Sequence, residues 1–234
     1  WREQCREWKE KFPVVLPEFW EYDDGVSIYA LVEAISEAIG SGDIFVPGSS
    51  GACSEVAMQA FKSKKKVRVF NSEGMGPMGF GISAALGGCV ASGSKRTICI
   101  DGDGGFAMNT QELETIRRLN LPVKFFVLDN DGYASIRATQ ETYFEGKFYG
   151  STEKGGLTLP RLGAIASAYD IEYDEMASSR DIESAVAKGL ETEGPMICRV
   201  RVSSKQVTAP RVMSRQTENG SMETAPMEEM WPPI

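Results

Sequence analysis

The chain has 234 residues, which is long enough for one large domain that buries about 70% of the surface of its unfolded state. Its formal charge of −8 argues against a nucleic acid or an anionic membrane as partner. It contains no histidine, so ordinary zinc sites and histidine-based nucleophilic catalysis are excluded within this chain.

The cysteines predict a reducing compartment. There are five, an odd number, and none forms a C-x-x-C pair. Cys99 and Cys198 lie inside apolar runs, where a free thiol behaves as a small hydrophobic group. No signal peptide or membrane span is recognisable, because the segment 78–91 is too short and too rich in glycine. We therefore expect a cytoplasmic protein.

Residues 1–24 resemble a linker between domains, with a short helix that ends near Pro13 and then an aromatic, acidic stretch. The chain starts without methionine, and Trp1, Cys5 and Trp8 recur at helical spacing. We expect the chain to be the carboxyl-terminal part of a larger protein, or one half of a split enzyme.

From residue 25 onward, helical and strand-like segments alternate. Apolar residues from Ile28 to Ile39 recur with the period of an amphipathic helix, and Gly40 is placed to end it. The following segments predict a strand at 43–46, a helix at 52–61, a strand at 67–70 and, in the glycine-rich stretch 73–87, a helix packed very close to a neighbouring backbone.

The stretch 96–137 predicts a strand, a glycine turn, a helix and a second strand, which is a βαβ unit of parallel sheet. After it, the pattern predicts helices at 160–169 and 181–190 and strands at 171–173 and 195–202. We expect an α/β fold over residues 25–202, a doubly wound parallel sheet with helices on both faces, followed by an extended tail at 203–234.

Oxygen-bearing groups follow the two strands of the βαβ unit. Asp103 comes after the first strand and Asn130 after the second, and backbone carbonyls lie beside both. Such donors suit Mg²⁺, whose coordination is usually completed by water and substrate phosphates. The glycines at 102, 104 and 105 would let backbone N–H groups approach a phosphate. The residues therefore predict a diphosphate bridged by a metal ion.

Twenty-five residues separate Gly104 from Asn130. With this spacing the chain resembles the thiamine diphosphate enzymes, whose signature is Gly-Asp-Gly, about 25 residues and Asn. The stretches 102–116 and 120–124 are similar to the acetolactate synthase-like branch. The resemblance implies the thiamine diphosphate-binding fold, with Mg²⁺ held by Asp103, the Asn130 side chain and the Gly132 carbonyl. It also implies that Gly104 and Gly105 donate N–H groups to the diphosphate.

The resemblance extends to three further segments. In 74–87 it implies that Met78 is the wedge that bends the cofactor and that the Gly76 carbonyl accepts a hydrogen bond from its amino group. The remaining residues that it assigns to the cofactor are Ser50, Gly51, Ala52 and Cys53 in the loop after the first strand, and Tyr133, Ala134 and Ser135 after the metal motif.

The chain departs from the family at several of these positions. The family has Gln and His where Ala52 and Cys53 stand, and Gly and Met where Ala134 and Ser135 stand. Thr139 replaces a tryptophan near the substrate entrance. The acceptor of the reaction therefore stays open.

The resemblance implies a carboligase or decarboxylase that acts on a 2-oxo acid. In that family a pyrimidine-binding domain supplies the catalytic Glu, and no residue here matches it, so we assign no catalytic residue to this chain. We expect a pyrimidine-binding domain from the same or another chain, and a homodimer or tetramer. FAD, if the full-length enzyme carries it, would bind outside this chain.

Two other functions remain open. Residues 102–107 and 74–79 also fit the dinucleotide fingerprint G-x-G-x-x-G/A, and Asp129 stands where a ribose-binding acid belongs. In that case Asp103 would face a pyrophosphate without a cation, and two charges about 4 Å apart at an effective dielectric of ~20 repel by roughly 4 kcal/mol. The second alternative is a non-catalytic relative that binds thiamine diphosphate.

Overall fold

The computed structural model of the protein describes residues 1–49, 51–72, 74–203, 206 and 208–230. The chain divides into two compact units, Trp1–Ser204 and Lys205–Ile234. The domain boundaries predicted at residues 24 and 202 stay predictions.

A parallel sheet forms the centre of the first unit. The strands are β1 (Ile44–Pro47), β2 (Arg68–Val69), β3 (Thr97–Gly102), β4 (Val123–Asp129), β5 (Glu172–Met176) and β6 (Met196–Arg201). In the described part of the chain these six strands pair in the order β2-β1-β3-β4-β6-β5, and every pair is parallel. The predicted doubly wound α/β fold is confirmed.

Helices connect the strands of this sheet. They are α1 (Arg2–Lys11), α2 (Ile28–Ala38), α3 (Ala52–Ala60), α4 (Phe80–Ala91), α5 (Asp103–Phe106), α6 (Glu112–Arg118), α7 (Ala134–Tyr143), α8 (Leu162–Ala168) and α9 (Ile182–Glu191). In the described part of the first unit, 3₁₀ turns lie at Pro17–Phe19, Ala107–Asn109 and Ser179–Asp181. The described helices include none with the length and apolar content that crossing a membrane requires.

The sheet has a hydrophobic core on each face, as expected when helices cover both sides of a parallel sheet. One core joins α2, α3 and α9 to strand residues such as Phe45, Ile98 and Phe126. The other joins α4, α6 and α8 to Val46, Cys99 and their neighbours. Because successive strand residues point to opposite faces, each central strand contributes alternate residues to the two cores.

A buried lysine lies near the start of β4. Lys124 is 1% exposed, and its ammonium donates to the carbonyls of Thr192 and Gly194, each at 2.5 Å. Burial, with a smaller effect from the nearby Arg96, lowers its pKa to about 8. Arg96 in turn binds Asp43, with 2.7 Å between Nη2 and Oδ2. These contacts tie together the end of the sheet at which the strands begin.

The second unit contains a short hairpin that the sequence did not predict. Strand β7 (Ser214–Gln216) pairs antiparallel with β8 (Met222–Thr224), and a 3₁₀ turn follows at Met227–Glu229. All strand residues of the hairpin are exposed, so it has no amphipathic pattern that a sequence reading could recognise.

Candidate functional site

The strand order creates a crevice between β1 and β3. From β1 the sheet continues to β2 on one side, and from β3 it continues through β4 and β6 to β5 on the other. Ligands of open α/β sheets bind at such a switch point, beyond the carboxyl ends of the strands. Here the loop after β1 meets the end of β3: the Gly48 N–H donates to the Ile100 carbonyl at 2.6 Å.

Asp101, at the end of β3, connects these two loops. Its side chain is buried, and its Oδ1 accepts hydrogen bonds from the Ser49 N–H at 3.1 Å, from the Ser49 hydroxyl and from the Gly102 N–H at 2.9 Å. Burial raises the pKa of this carboxyl. A Cβ at Gly48 or Gly105 would lie 2.7 Å from Oδ1, so both glycines leave room for the carboxyl. Sequence reasoning missed this role.

Asp103, the predicted metal ligand, joins the end of β3 to the turn after β4. Its Oδ2 accepts hydrogen bonds from the backbone N–H groups of Gly132 at 3.0 Å and Asn130 at 3.3 Å, and its Oδ1 accepts one from Gly104 at 2.7 Å. The structure therefore brings the three residues that carry the predicted ligands together, through the backbone N–H groups of Asn130 and Gly132.

Asp103 is only 7% exposed, and no cationic side chain of the described residues forms an ion pair with its carboxyl group. Burial raises its pKa to about 7, and the nearby charge of Asp129 adds to this increase, although the backbone N–H groups oppose it. A carboxylate in this position lacks a positive partner, and a bound cation would supply one.

The turn at 130–132 has an unusual backbone. Asp131 adopts a left-handed conformation with φ of 61°, and Gly132 has φ of 127°. A Cβ at Gly132 would lie 2.7 Å from the Ser151 carbonyl oxygen, so only glycine fits there. Arg137 binds the other side of the turn: it donates to the carbonyl oxygens of Asn130 at 2.8 Å and Asp131 at 3.1 Å.

Several predicted cofactor-binding residues lie next to one another. A Cβ at Gly104 would overlap the ring of Tyr133 and lie 3.1 Å from the terminal methyl of Met78. A Cβ at Gly51 would overlap the hydroxyl of Ser135, which shows that the loops after β1 and β4 also approach each other. The loops after β1, β3 and β4 and the segment before α4 therefore meet at the carboxyl end of the sheet.

Cys53 lies close to the acidic groups of the site. Its thiol is buried, and a Cβ at Gly102 would lie 3.8 Å from its sulfur. Burial, together with the charges of Asp101 and Asp103, raises the pKa of this thiol well above its ordinary value. The thiol is therefore protonated at neutral pH.

The contacts described above do not include the remaining predicted cofactor-binding residues. Ala52 and Ala134 are the first residues of α3 and α7 and are half-buried. Gly76 has φ of 52° in the turn before α4. Ser50 lies outside the described residues. Their roles stay predictions.

A cleft of about 1240 Å³ opens beside the predicted metal ligands. Its lining includes Asp103, Asn130, Gly132 and Arg137, and also Arg199 of β6. The predicted cofactor-binding residues outside the metal set, among them Gly104, Gly105 and Met78, do not line this cleft. The cleft thus reaches the predicted metal ligands from the side of β5 and β6.

An ion-pair network among β4, β5 and β6 also lines the cleft. Arg199 Nε lies 2.5 Å from Asp129 Oδ2, and its Nη1 lies 3.6 Å from Glu175 Oε1, which accepts a hydrogen bond from the Tyr173 hydroxyl at 2.6 Å. Sequence reasoning missed this network, since its members come from three strands. Asp129 is therefore engaged by an arginine, which weighs against the ribose-binding role in the dinucleotide alternative.

Among the described residues, no group of three or more His, Cys, Asp or Glu side chains could hold a metal ion. The predicted ligand set has one carboxylate, one side-chain amide and one backbone carbonyl, so it differs from a cluster of three such side chains. Its geometry rests on the contacts between Asp103 and the turn.

Fold, switch point and acidic motif together define a domain that binds a cofactor at the carboxyl edge of a parallel sheet. Residues 49–200 match the thiamine pyrophosphate enzyme family, in its C-terminal TPP-binding domain, and the chain belongs to this family. The resemblance stated from the Gly-Asp-Gly and Asn motif is confirmed.

Curated relatives of the chain include acetolactate synthases. The chain is 30% identical to the large subunit of acetolactate synthase isozyme 2 of Escherichia coli K12, with 91% of this chain and 37% of that protein covered. It is 28% identical to acetolactate synthase 3, chloroplastic, of Brassica napus, over 93% of this chain and 33% of the relative. The chain thus spans about a third of the length of the curated relatives it matches.

Proposed function

We propose that the chain is the Mg²⁺- and thiamine diphosphate-binding domain of an acetolactate synthase-like carboligase or 2-oxo acid decarboxylase. The observation that carries the proposal is the buried carboxylate of Asp103, which lacks a cationic partner and is held against the turn of Asn130 and Gly132. Carboxylate, amide and carbonyl oxygens at two adjacent strand ends suit Mg²⁺.

The residues of the site fit both groups. Asp103, the side chain of Asn130 and the carbonyl of Gly132 would hold the cation. The backbone N–H groups of Gly104 and Gly105 would hold the diphosphate, with help from the loop at 49–53 after β1. When bound, thiamine diphosphate supplies the nucleophilic carbon that cleaves a 2-oxo acid next to its carbonyl.

The protein's own residues would orient the cofactor. Met78 and Tyr133 stand together over Gly104, where they would limit the positions that a bound group can take. Gly76, Ala52, Cys53, Ala134 and Ser135 would complete its surroundings, as the family resemblance implies. Ser135 lies at Gly51, which supports a shared pocket for these two loops.

The proposal assigns no catalytic residue to this chain. In the family that the chain resembles, the acid that activates the cofactor is a Glu on a pyrimidine-binding domain. We propose that this domain comes from the same protein or from a partner in a dimer or tetramer. A 2-oxo acid is the proposed substrate and the cytoplasm the proposed compartment. The relatives include a bacterial protein and chloroplastic proteins, so the proposed compartment rests on the sequence of this chain and not on its relatives.

Calorimetric titration of the full chain with thiamine diphosphate, with and without Mg²⁺, tests the proposal. We expect binding that requires Mg²⁺, no binding of NADH, and no turnover of pyruvate by the chain alone. Tight binding of NADH in place of thiamine diphosphate would establish the dinucleotide alternative. Metal-independent binding of thiamine diphosphate would overturn the role of Asp103, and turnover of pyruvate would show that the catalytic acid is present here.

A further inference from the structure

Arg137 lies where its guanidinium can fix the turn that carries two of the proposed metal ligands. It reaches back from the first turn of α7 and donates through Nη2 to the Asn130 carbonyl at 2.8 Å and through Nη1 to the Asp131 carbonyl at 3.1 Å. Nη2 also lies 3.5 Å from the side-chain oxygen of Asn130. Nothing in the sequence motif or in the family resemblance marks this residue.

The peptide groups of the turn are held from both sides. Their carbonyl oxygens face the cation of Arg137, and the N–H groups of Asn130 and Gly132 face the carboxylate of Asp103. The peptide group between Asp131 and Gly132 thus has the cation of Arg137 at its carbonyl and the carboxylate of Asp103 at its N–H. The preceding peptide group accepts from Arg137 at the Asn130 carbonyl, and its N–H, that of Asp131, donates to Asp129 Oδ1 at 3.3 Å. This arrangement stabilises the left-handed conformation of Asp131, which costs free energy in a residue with a side chain.

The charge of Arg137 has no other use that the described contacts reveal. Among the described residues no carboxylate forms an ion pair with it, although it lines the same cleft as Asp103 and Asn130. A cation placed beside a cation site opposes metal binding by charge alone, so its contribution must come from the geometry that it enforces.

We propose that Arg137 is a positioning residue, which orients Asn130 and Gly132 as ligands of the metal ion. The inference rests on the proposed function of the site. Mg²⁺ requires nearly ideal octahedral geometry, whereas Ca²⁺ accepts longer and more variable distances. A loosened turn therefore weakens binding supported by Mg²⁺ more than binding supported by Ca²⁺.

The test compares Arg137→Met, Arg137→Lys and the control Arg161→Met in the full chain. Arg161 lines the same cleft and is exposed, so its loss removes an equal charge without touching the turn. Thiamine diphosphate affinity is measured by calorimetry with Mg²⁺ and with Ca²⁺, and thermal unfolding is measured without ligand.

For Arg137→Met we expect affinity with Mg²⁺ to fall by about 10- to 100-fold, the usual effect of removing a partner of a metal ligand. With Ca²⁺ the loss should be about threefold or less, because Ca²⁺ tolerates displaced ligands. Lysine should restore affinity only in part, since its ammonium keeps the charge but lacks the rigid planar arrangement of donors that a guanidinium offers to the two carbonyls. Arg161→Met should leave the ratio of the two affinities unchanged.

Equal losses of affinity with Mg²⁺ and Ca²⁺, or the same loss in Arg161→Met, would overturn the positioning role of Arg137. The proposed function would stand in that case. If Arg137→Met does not fold, the affinity ratio of the lysine variant decides in the same way. Failure of the wild-type chain to bind thiamine diphosphate with either ion would instead overturn the proposed function, and the inference with it.

Discussion

The carboxylate of Asp103 accepts a hydrogen bond from the backbone N–H of Gly132 at 3.0 Å, although the two residues are 29 positions apart in the sequence. Asp103 follows β3, Gly132 follows β4, and these strands are neighbours in the sheet. The contact explains how an acidic motif and a distant asparagine form one site: parallel pairing brings both strand ends to the same edge.

The first prediction concerns Asp103 itself. Asp103→Asn retains the size of the side chain but removes the negative charge that a cation needs. We expect affinity for thiamine diphosphate with Mg²⁺ to fall by at least about 30-fold, a change on the order of 2 kcal/mol. Calorimetry measures this loss, and circular dichroism checks that the fold is retained.

The matched control is Asp131→Asn in the same turn. The side chain of Asp131 is exposed, and asparagine accepts its left-handed backbone conformation readily. We expect cofactor affinity within about twofold of the wild type, since a lone exposed charge contributes little. A loss equal to that of Asp103→Asn would show that negative charge near the turn matters, and that a specific ligand does not.

The second prediction concerns the space above Gly104. In Gly104→Ala the new methyl group would overlap the ring of Tyr133, and Met78 leaves it no room on the other side. We expect the free energy of unfolding to fall by about 1–3 kcal/mol, as overpacking usually costs. Cofactor affinity should fall as well, because Tyr133 must move. Urea denaturation and calorimetry measure the two effects.

Gly102→Ala provides the comparison for this substitution. A Cβ there would meet only the sulfur of Cys53, at an ordinary contact distance of 3.8 Å, and its φ of −81° suits any residue. We expect stability within about 1 kcal/mol of the wild type. Equal destabilisation by both substitutions would mean that the motif requires glycine for a reason other than the packing at Tyr133.

Much of the fold could be predicted from local patterns. The central strands are continuous apolar runs because the sheet is buried on both faces, and helix α2 carries its apolar residues at regular spacing. Helix α7 was not predicted, and the structure shows why: none of its residues is buried, so the segment carries no stripe of core-facing apolar side chains. The hairpin of the second unit was missed for the same reason.

Only some residues of the site could be predicted from the sequence. Asp103 and Asn130 could be identified because they belong to a motif with fixed spacing. Asp101, Arg137 and Arg199 could not, because their roles depend on contacts with loops and strands that meet only in the folded chain. Sequence spacing reveals which residues follow a strand, but not which side chain of the next helix reaches back to hold them.

The third prediction concerns Lys124 and pH. Its pKa is about 8 in the folded chain, against an ordinary value of 10.5. Between these values the unfolded chain binds a proton that the folded chain does not, so the free energy of unfolding should rise with pH across this window. Lys124→Met should remove this part of the rise, as measured by urea denaturation at several pH values.

At neutral pH the same variant tests the hydrogen bonds. The carbonyls of Thr192 and Gly194 lose their donor in Lys124→Met, and we expect a loss of about 1–3 kcal/mol. Lys65→Met, at an exposed position, should retain both the stability and the pH dependence of the wild type. If the pH profile of Lys124→Met matches that of Lys65→Met, burial does not lower the pKa of Lys124.

The fourth prediction concerns the loop after β1. Ser49 is bound to Asp101 through both its N–H and its hydroxyl, which fixes the loop that faces Gly105 across the crevice. Ser49→Ala removes the hydroxyl and leaves the buried carboxyl with one donor fewer. We expect the free energy of unfolding to fall by about 1–3 kcal/mol, the usual cost of a lost hydrogen bond to a buried group.

The variant should also separate two uses of this loop. If the loop helps to hold the diphosphate, Ser49→Ala lowers thiamine diphosphate affinity at a temperature where the variant is still folded. Ser54, in the first turn of α3, makes no side-chain hydrogen bond among the described contacts, so Ser54→Ala should change neither quantity. Reduced stability with unchanged affinity in Ser49→Ala would confine the Ser49–Asp101 contact to the fold, and the diphosphate would then depend on Gly104 and Gly105 alone.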